Sequence, residues 1–104
     1  MTKSLKRKII IFGRGPATEI ALISAKKLLN DFEVFYFYLE NENRDFDNLS
    51  KCQNLNIRTF RVNSYKEFAA EVFKISPLYI LLAQCSLVVK KDIINLMGEN
   101  IINL

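Results

Sequence analysis

The sequence predicts an α/β domain, a mostly parallel sheet of about five strands sandwiched between helices. Three observations carry the prediction. Short runs of branched and aromatic residues recur at residues 9–12, 33–39 and 78–83. Helical patterns separate them. The first run stops abruptly at Gly13-Arg14-Gly15-Pro16, and a helical pattern starts at once. Strand, glycine turn and helix form the opening unit of nucleotide-binding-like α/β folds.

Taken in order, Ile9-Ile10-Ile11-Phe12 is the first strand. The following helix is expected over residues 16–29, with Ala17, Ile20, Ala21, Ser24 and Leu28 on one face at i, i+3, i+4 spacing. Lys26 and Lys27 suit its carboxyl end, and Asn30-Asp31 ends it. The run Glu33-Val34-Phe35-Tyr36-Phe37-Tyr38-Leu39 does not alternate, which marks a strand buried on both faces. A polar loop follows over residues 40–47, then a short helix near residues 48–54.

Residues 57–62 alternate, with Ile57, Thr59 and Arg61 set against Arg58, Phe60 and Val62. Alternation implies one wetter face, and hence an edge strand. Ser64-Tyr65-Lys66-Glu67 is a capping box, and Tyr65, Phe68, Ala69, Val72 and Phe73 form an apolar stripe behind it. Pro77 stops this helix. Leu78-Tyr79-Ile80-Leu81-Leu82-Ala83 reads as another central strand, leaving through Gln84-Cys85-Ser86. A short helix over residues 91–97 is closed by Gly98 as an αL cap, and a fifth strand begins at Ile101. Strands alternating with helices imply parallel pairing with right-handed crossovers. With the alternating strand at one edge, the expected order is 3-2-1-4-5, a Rossmann-like three-layer sandwich. The Gly13 turn and the exit after Ala83 then flank the point where strand order reverses.

Composition narrows the function classes. The 104 residues suit one domain, and half of them are hydrophobic, enough for a real core. No histidine is present, which removes the commonest general base and the commonest metal ligand. Cys52 and Cys85 are far apart and have no metal-ligand spacing, so no metal is expected and reduced thiols are. The net charge is +4, partly from Lys3, Lys6, Arg7 and Lys8, a cluster that suits nucleic acid, anionic lipid or plain solvation. The apolar run after it is too short for a signal peptide or a membrane span, and no other stretch reaches membrane length, so the expectation is a cytoplasmic protein without membrane partners.

Gly13-Arg14-Gly15 after a strand is also half of a dinucleotide fingerprint. The full pattern needs glycine at position 18, where Thr18 stands, and an acid near the end of the second strand, where Glu40 stands. This leaves three readings open: a tight turn needing glycine for backbone reasons, an anion or nucleotide contact at the helix start with Arg14 facing it, and a small regulatory module holding a ribose-phosphate ligand through Gly13, Gly15 and Glu40.

Residues 68–104, FAAEVFKISPLYILLAQCSLVVKKDIINLMGENIINL, carry a more particular pattern. They resemble the N-terminal half of the folate-dependent formyltransferases, which include methionyl-tRNA, glycinamide ribonucleotide and sugar-nucleotide N-formyltransferases. In that family a strand ending in alanine leads to an apolar loop step, a short helix, and a strand that ends in Asn-x-His. Residues 77–83 look like the first strand, Leu87-Val88-Val89 like the loop step, and Ile101-Ile102-Asn103-Leu104 like the strand entering Asn-x-His. The opening KIIIFGRGPATEIAL is similar to the family's first strand and loop.

The resemblance implies a formyl group moved from 10-formyltetrahydrofolate to an amine on a sugar nucleotide, an aminoacyl-tRNA or a ribonucleotide. It implies Asn103 as the catalytic asparagine, Ser86, Leu87 and Val88 as the pterin-facing loop, and Gly13, Arg14, Gly15 and Pro16 near the substrate. The family's histidine and later aspartate are not matched in residues 1–104. The chain is therefore expected to be a single N-terminal-like domain, truncated at its C-terminal edge and inactive alone, with an apolar sheet edge open to self-association.

Overall fold

The computed structural model describes residues 6–39, 52–83 and 88–104. Five strands form one sheet: β1 (Arg7–Gly13), β2 (Phe32–Leu39), β3 (Arg58–Val62), β4 (Tyr79–Ala83) and β5 (Ile101–Asn103). Their spatial order is β3-β2-β1-β4-β5 and every pairing is parallel. Among the described residues, α1 (Gly15–Ala25), α2 (Tyr65–Ile75) and α3 (Lys91–Met97) cross between strands, and residues 52–54 are also helical. Single 3₁₀ turns follow α1 (Lys26–Leu28) and α3 (Gly98–Asn100).

Because strand side chains alternate, the sheet supplies two cores. One face packs Ile10, Phe12, Phe35, Phe37, Ile80 and Leu82 against α2 and α3. Here Phe68 meets Phe12 edge-on at 4.6 Å and Phe37 at 5.5 Å, arrangements that suit the ring quadrupoles. The other face packs Ile9, Ile11, Val34 and Tyr36 against α1 and the segment holding Cys52 and Ile57. These are the three layers expected. The continuous runs lie in the middle of the sheet. The alternating run is the edge strand β3, where Arg58, Thr59 and Arg61 are exposed and Val62 is buried.

The helices show where local sequence decides and where it does not. For α2 the Ser64 hydroxyl accepts from the Glu67 N–H at 3.3 Å. The returning half of the box goes one residue upstream, with the Glu67 carboxylate accepting from the Asn63 N–H at 2.6 Å. The helix ends at Ser76, which takes the left-handed conformation (φ 53°) just before Pro77. Its buried stripe is Phe68, Ala69, Val72 and Ile75, whereas Phe73, placed in the stripe by spacing, is half exposed.

For α1 the expected face is not the buried one. Thr18, Ala21, Leu22 and Ala25 are buried. Ala17, Ile20, Ser24 and Leu28 instead line an apolar groove of about 370 Å³ beside the helix, and Ile20 is 66 % exposed. The reason is that α1 is apolar nearly all round, so periodicity gives it no direction. Its rotation is set by Thr18, whose hydroxyl lies 2.9 Å from the Arg14 carbonyl and 3.0 Å from the Ala83 carbonyl. The α-helix also stops at Ala25, short of the expected Leu29, and tightens into the 3₁₀ turn.

Gly98 has positive φ as expected, but with ψ −126° it lies outside the αL region and leads into a 3₁₀ turn. The loop after β2, with Glu40, the first part of the short helix expected at residues 48–54, and Gln84 to Leu87 lie outside the described residues. Residues 52–54 of that helix are helical. No helix among the described residues is long and apolar enough to cross a membrane.

Candidate functional site

Parallel strands bring all their carboxyl ends to one edge of the sheet, and strand order reverses between β1 and β4. Register fixes the neighbours there. Gly13 at the end of β1 stands beside Ala83 at the end of β4, and Leu82 stands beside Asn103 at the end of β5. The Leu104 N–H then donates to the Leu82 carbonyl at 2.8 Å, tying the end of β5 to β4.

The Gly13 turn is built by backbone crowding. A Cβ on Gly13 would sit 1.7 Å from the Ala83 carbonyl oxygen, and the residue has φ +155°. Only glycine fits so close an approach. The turn is then laced down. The Arg14 N–H donates to the Ala83 carbonyl at 3.1 Å, and the Tyr36 hydroxyl donates to the Gly13 carbonyl at 2.8 Å. Arg14 is exposed and extended (φ −147°), Gly15 has positive φ, and Pro16 occupies the first turn of α1. Thr18 is fully buried at the position where the dinucleotide fingerprint needs glycine.

Asn103 and Val88 meet in one cleft of about 410 Å³, completed by Leu82, Val89, Ile94, Gly98 and Ile101. Its volume is in the usual range for ligand pockets, roughly 300–1,000 Å³. Among the described lining residues Asn103 has the one polar side chain, and it is exposed. Of the predicted site residues, the structure brings Val88 and Asn103 together. It sets Gly13, Arg14, Gly15 and Pro16 at the same sheet edge but outside this cleft. Ser86 and Leu87 lie outside the described residues.

One feature of the site escaped the sequence reading. Tyr65, at the start of α2, ties down the far end of the loop that carries Val88. Its hydroxyl donates to Asp92 and accepts from the Lys90 N–H at 3.2 Å, while the Lys90 ammonium lies 5.1 Å from its ring centroid. Asp92 also accepts from the Ile93 N–H at 2.9 Å. The Tyr65 hydrogen bond, helped by the backbone N–H, holds the Asp92 carboxyl below its ordinary range. Burial and the same bond push the Tyr65 phenol up. Tyr65 was read as a stripe residue only. The signal available was its place at a helix start, with a lysine and an aspartate flanking the start of the next helix.

Among the described residues no group of three or more possible metal ligands is found. Burial pushes the Cys52 thiol up to about 12, so it stays protonated and acts as a packing residue.

No protein-family model and no curated protein matches the sequence. Solved structures do match the fold. Over 94 % of its length the chain is similar to glycinamide ribonucleotide transformylase 1 from Symbiobacterium toebii, with TM-score 0.71 and 12 % identity, and it covers 50 % of that protein. It is similar over 95 % of its length to phosphoribosylglycinamide formyltransferase from Anaplasma phagocytophilum, with TM-score 0.67 and 15 % identity, covering 49 % of that chain. A universal stress protein from Archaeoglobus fulgidus matches with TM-score 0.54 and 11 % identity, over 95 % of this chain and 93 % of its own. The chain thus has a five-stranded parallel Rossmann-like fold, shared with two formyltransferases of which it spans about half the length.

Proposed function

We propose that the chain is the N-terminal part of a formyltransferase that moves a formyl group from 10-formyltetrahydrofolate to an amine. The observation that carries this is the cleft joining Val88 and Asn103, the two described residues that the resemblance assigns to cofactor and catalysis. The structural likeness to two formyltransferases supports the same reading through the fold.

The cleft offers apolar contact to the face of a reduced pterin ring, whose polar edge would take hydrogen bonds from neighbouring backbone groups. Leu82, Val88, Val89 and Ile101 offer it hydrophobic contact. When bound, the folate supplies the formyl group. The Asn103 amide then donates a hydrogen bond to the formyl oxygen, where negative charge develops as the amine attacks. The Gly13 to Pro16 turn lies at the same sheet edge and faces the amine substrate, a sugar nucleotide, an aminoacyl-tRNA or a ribonucleotide. The histidine and aspartate that move protons in the family are not among these 104 residues, which contain no histidine. In this reading they belong to chain beyond them, the fragment alone does not turn over, and the short β5 edge is open to a second copy. The protein works in the cytoplasm, in one-carbon metabolism.

The test is Asn103→Ala in the complete enzyme. Formyl transfer should fall by about 10²–10³, the loss expected for one oxyanion donor, while the melting temperature stays unchanged. An unaltered rate ends the assignment.

A second reading is favoured by the match that spans nearly all of the Archaeoglobus fulgidus protein. In this reading the chain is a small nucleotide-binding or regulatory module, and Gly13, Gly15 and Glu40 hold a ribose-phosphate ligand such as NAD or ATP without catalysis.

A further inference from the structure

The amino ends of the parallel strands gather at the sheet edge opposite Asn103, and there the basic lead-in to β1 meets the start of β3. Lys6, Lys8 and Arg58 line a cleft of about 630 Å³ together with Phe32, Glu33 and Asn56. Two of these cations are held in place. The Lys6 ammonium donates to the Leu29 carbonyl at 2.8 Å, at the turn that follows α1, leaving two of its three donors. The Arg58 guanidinium lies 5.6 Å from the Phe35 ring centroid and 5.6 Å from that of Phe60, so cation–π attraction fixes it without using its N–H donors. Among the described residues, none of the three cations is paired with a carboxylate.

We propose that this cleft binds the phosphodiester backbone of a single-stranded nucleic acid. Three cations around a concave space, two of them held in place, suit phosphates, and the partly exposed Phe32 ring offers a π-face for an unstacked base. A volume of about 630 Å³ is of nucleotide size. Glu33 and Asn56 favour this ligand over a membrane. A concave space suits a nucleotide better than a flat lipid surface, and both side chains can hydrogen-bond base edges. The inference does not depend on the formyltransferase reading, since it concerns the other end of the sheet.

The experiment is fluorescence anisotropy of a labelled oligouridylate of about twelve nucleotides, titrated with the chain across a salt series. The wild type should bind, with affinity falling as salt rises. Lys6→Gln with Lys8→Gln should weaken binding at low salt by about tenfold or more and flatten the salt slope by about 1.4, at roughly 0.7 per lost phosphate contact. Adding Arg58→Gln should flatten it further, and melting curves should show each variant folded. Lys66→Gln, on an exposed position in the first turn of α2 and so at the opposite edge of the sheet, should leave binding within about twofold, because screened surface charge beyond a Debye length adds little. The inference is overturned if the wild type does not bind, if the α2 variant loses as much as the cleft variants, or if phosphatidylserine vesicles bind the chain and displace the oligonucleotide.

Discussion

The two eleven-residue helices on opposite faces of the sheet are built on different principles. The second, α2, carries its own instructions. A serine cap, a glutamate three residues on, four buried apolar residues and a left-handed stop at Ser76 all lie within its own stretch. Its outward positions include Lys66, Glu67 and Lys74, all exposed. The first, α1, has no side-chain cap and a single charged residue, Glu19. Its outward side shows Ile20 and Ile23, 66 % and 50 % exposed. What starts and orients α1 is its seat on the sheet: the Gly13 turn pressed against Ala83, and the buried Thr18 hydroxyl beside the Ala83 carbonyl. One helix is specified locally, the other by tertiary contact.

Substitutions sharpen this contrast. Gly13→Ala should have the largest effect. Its Cβ would meet a backbone oxygen on the neighbouring strand, so β1 and β4 must separate or the turn must deform. The expected loss is at least about 3 kcal/mol, seen as a collapse of the thermal transition. A near-normal melting curve would mean that the turn does not fix α1. Ser64→Ala should cost about 1 kcal/mol, the worth of a typical cap, lowering the melting temperature by roughly 4–8 °C. Circular dichroism melts resolve a shift of that size, and no shift would deny α2 its local signal. Ile20→Lys should change stability by less than about 0.5 kcal/mol, because this side chain is mostly in solvent. A larger loss would return Ile20 to the core face that simple periodicity assigned it.

The same contrast explains what was legible in the sequence. Strand order was readable because the central runs, such as Ile9 to Phe12, lack alternation while the Arg58 to Val62 segment has it. Burial on both faces and burial on one leave different marks. The limits of α2 were readable from Ser64, Glu67 and Pro77. The buried face of α1 was not, since Ala17, Ala21, Leu22 and Ala25 are all small or apolar and any of several faces satisfies a helical period. The decisive residue there is Thr18, whose partner Ala83 is 65 residues away. The cleft was half legible. The resemblance singled out Val88 and Asn103, but Ile94 and Gly98 join them only through the turn of α3 and the pairing of β5. The Tyr65–Asp92 tie joins residues 27 apart and has no local signature.

In the proposed function the cleft at the ends of β4 and β5 takes a reduced folate. The most direct test is to melt the chain in the presence of a non-transferable 10-formyltetrahydrofolate analogue, and separately with NAD and with ATP. At a hundred times its dissociation constant the folate should add about 2.7 kcal/mol of stability. Val88→Arg, on a mostly exposed side chain that lines the cleft, should abolish the gain without lowering the ligand-free melt. Stabilisation by NAD or ATP with none by the folate would contradict the account and favour the nucleotide-binding module.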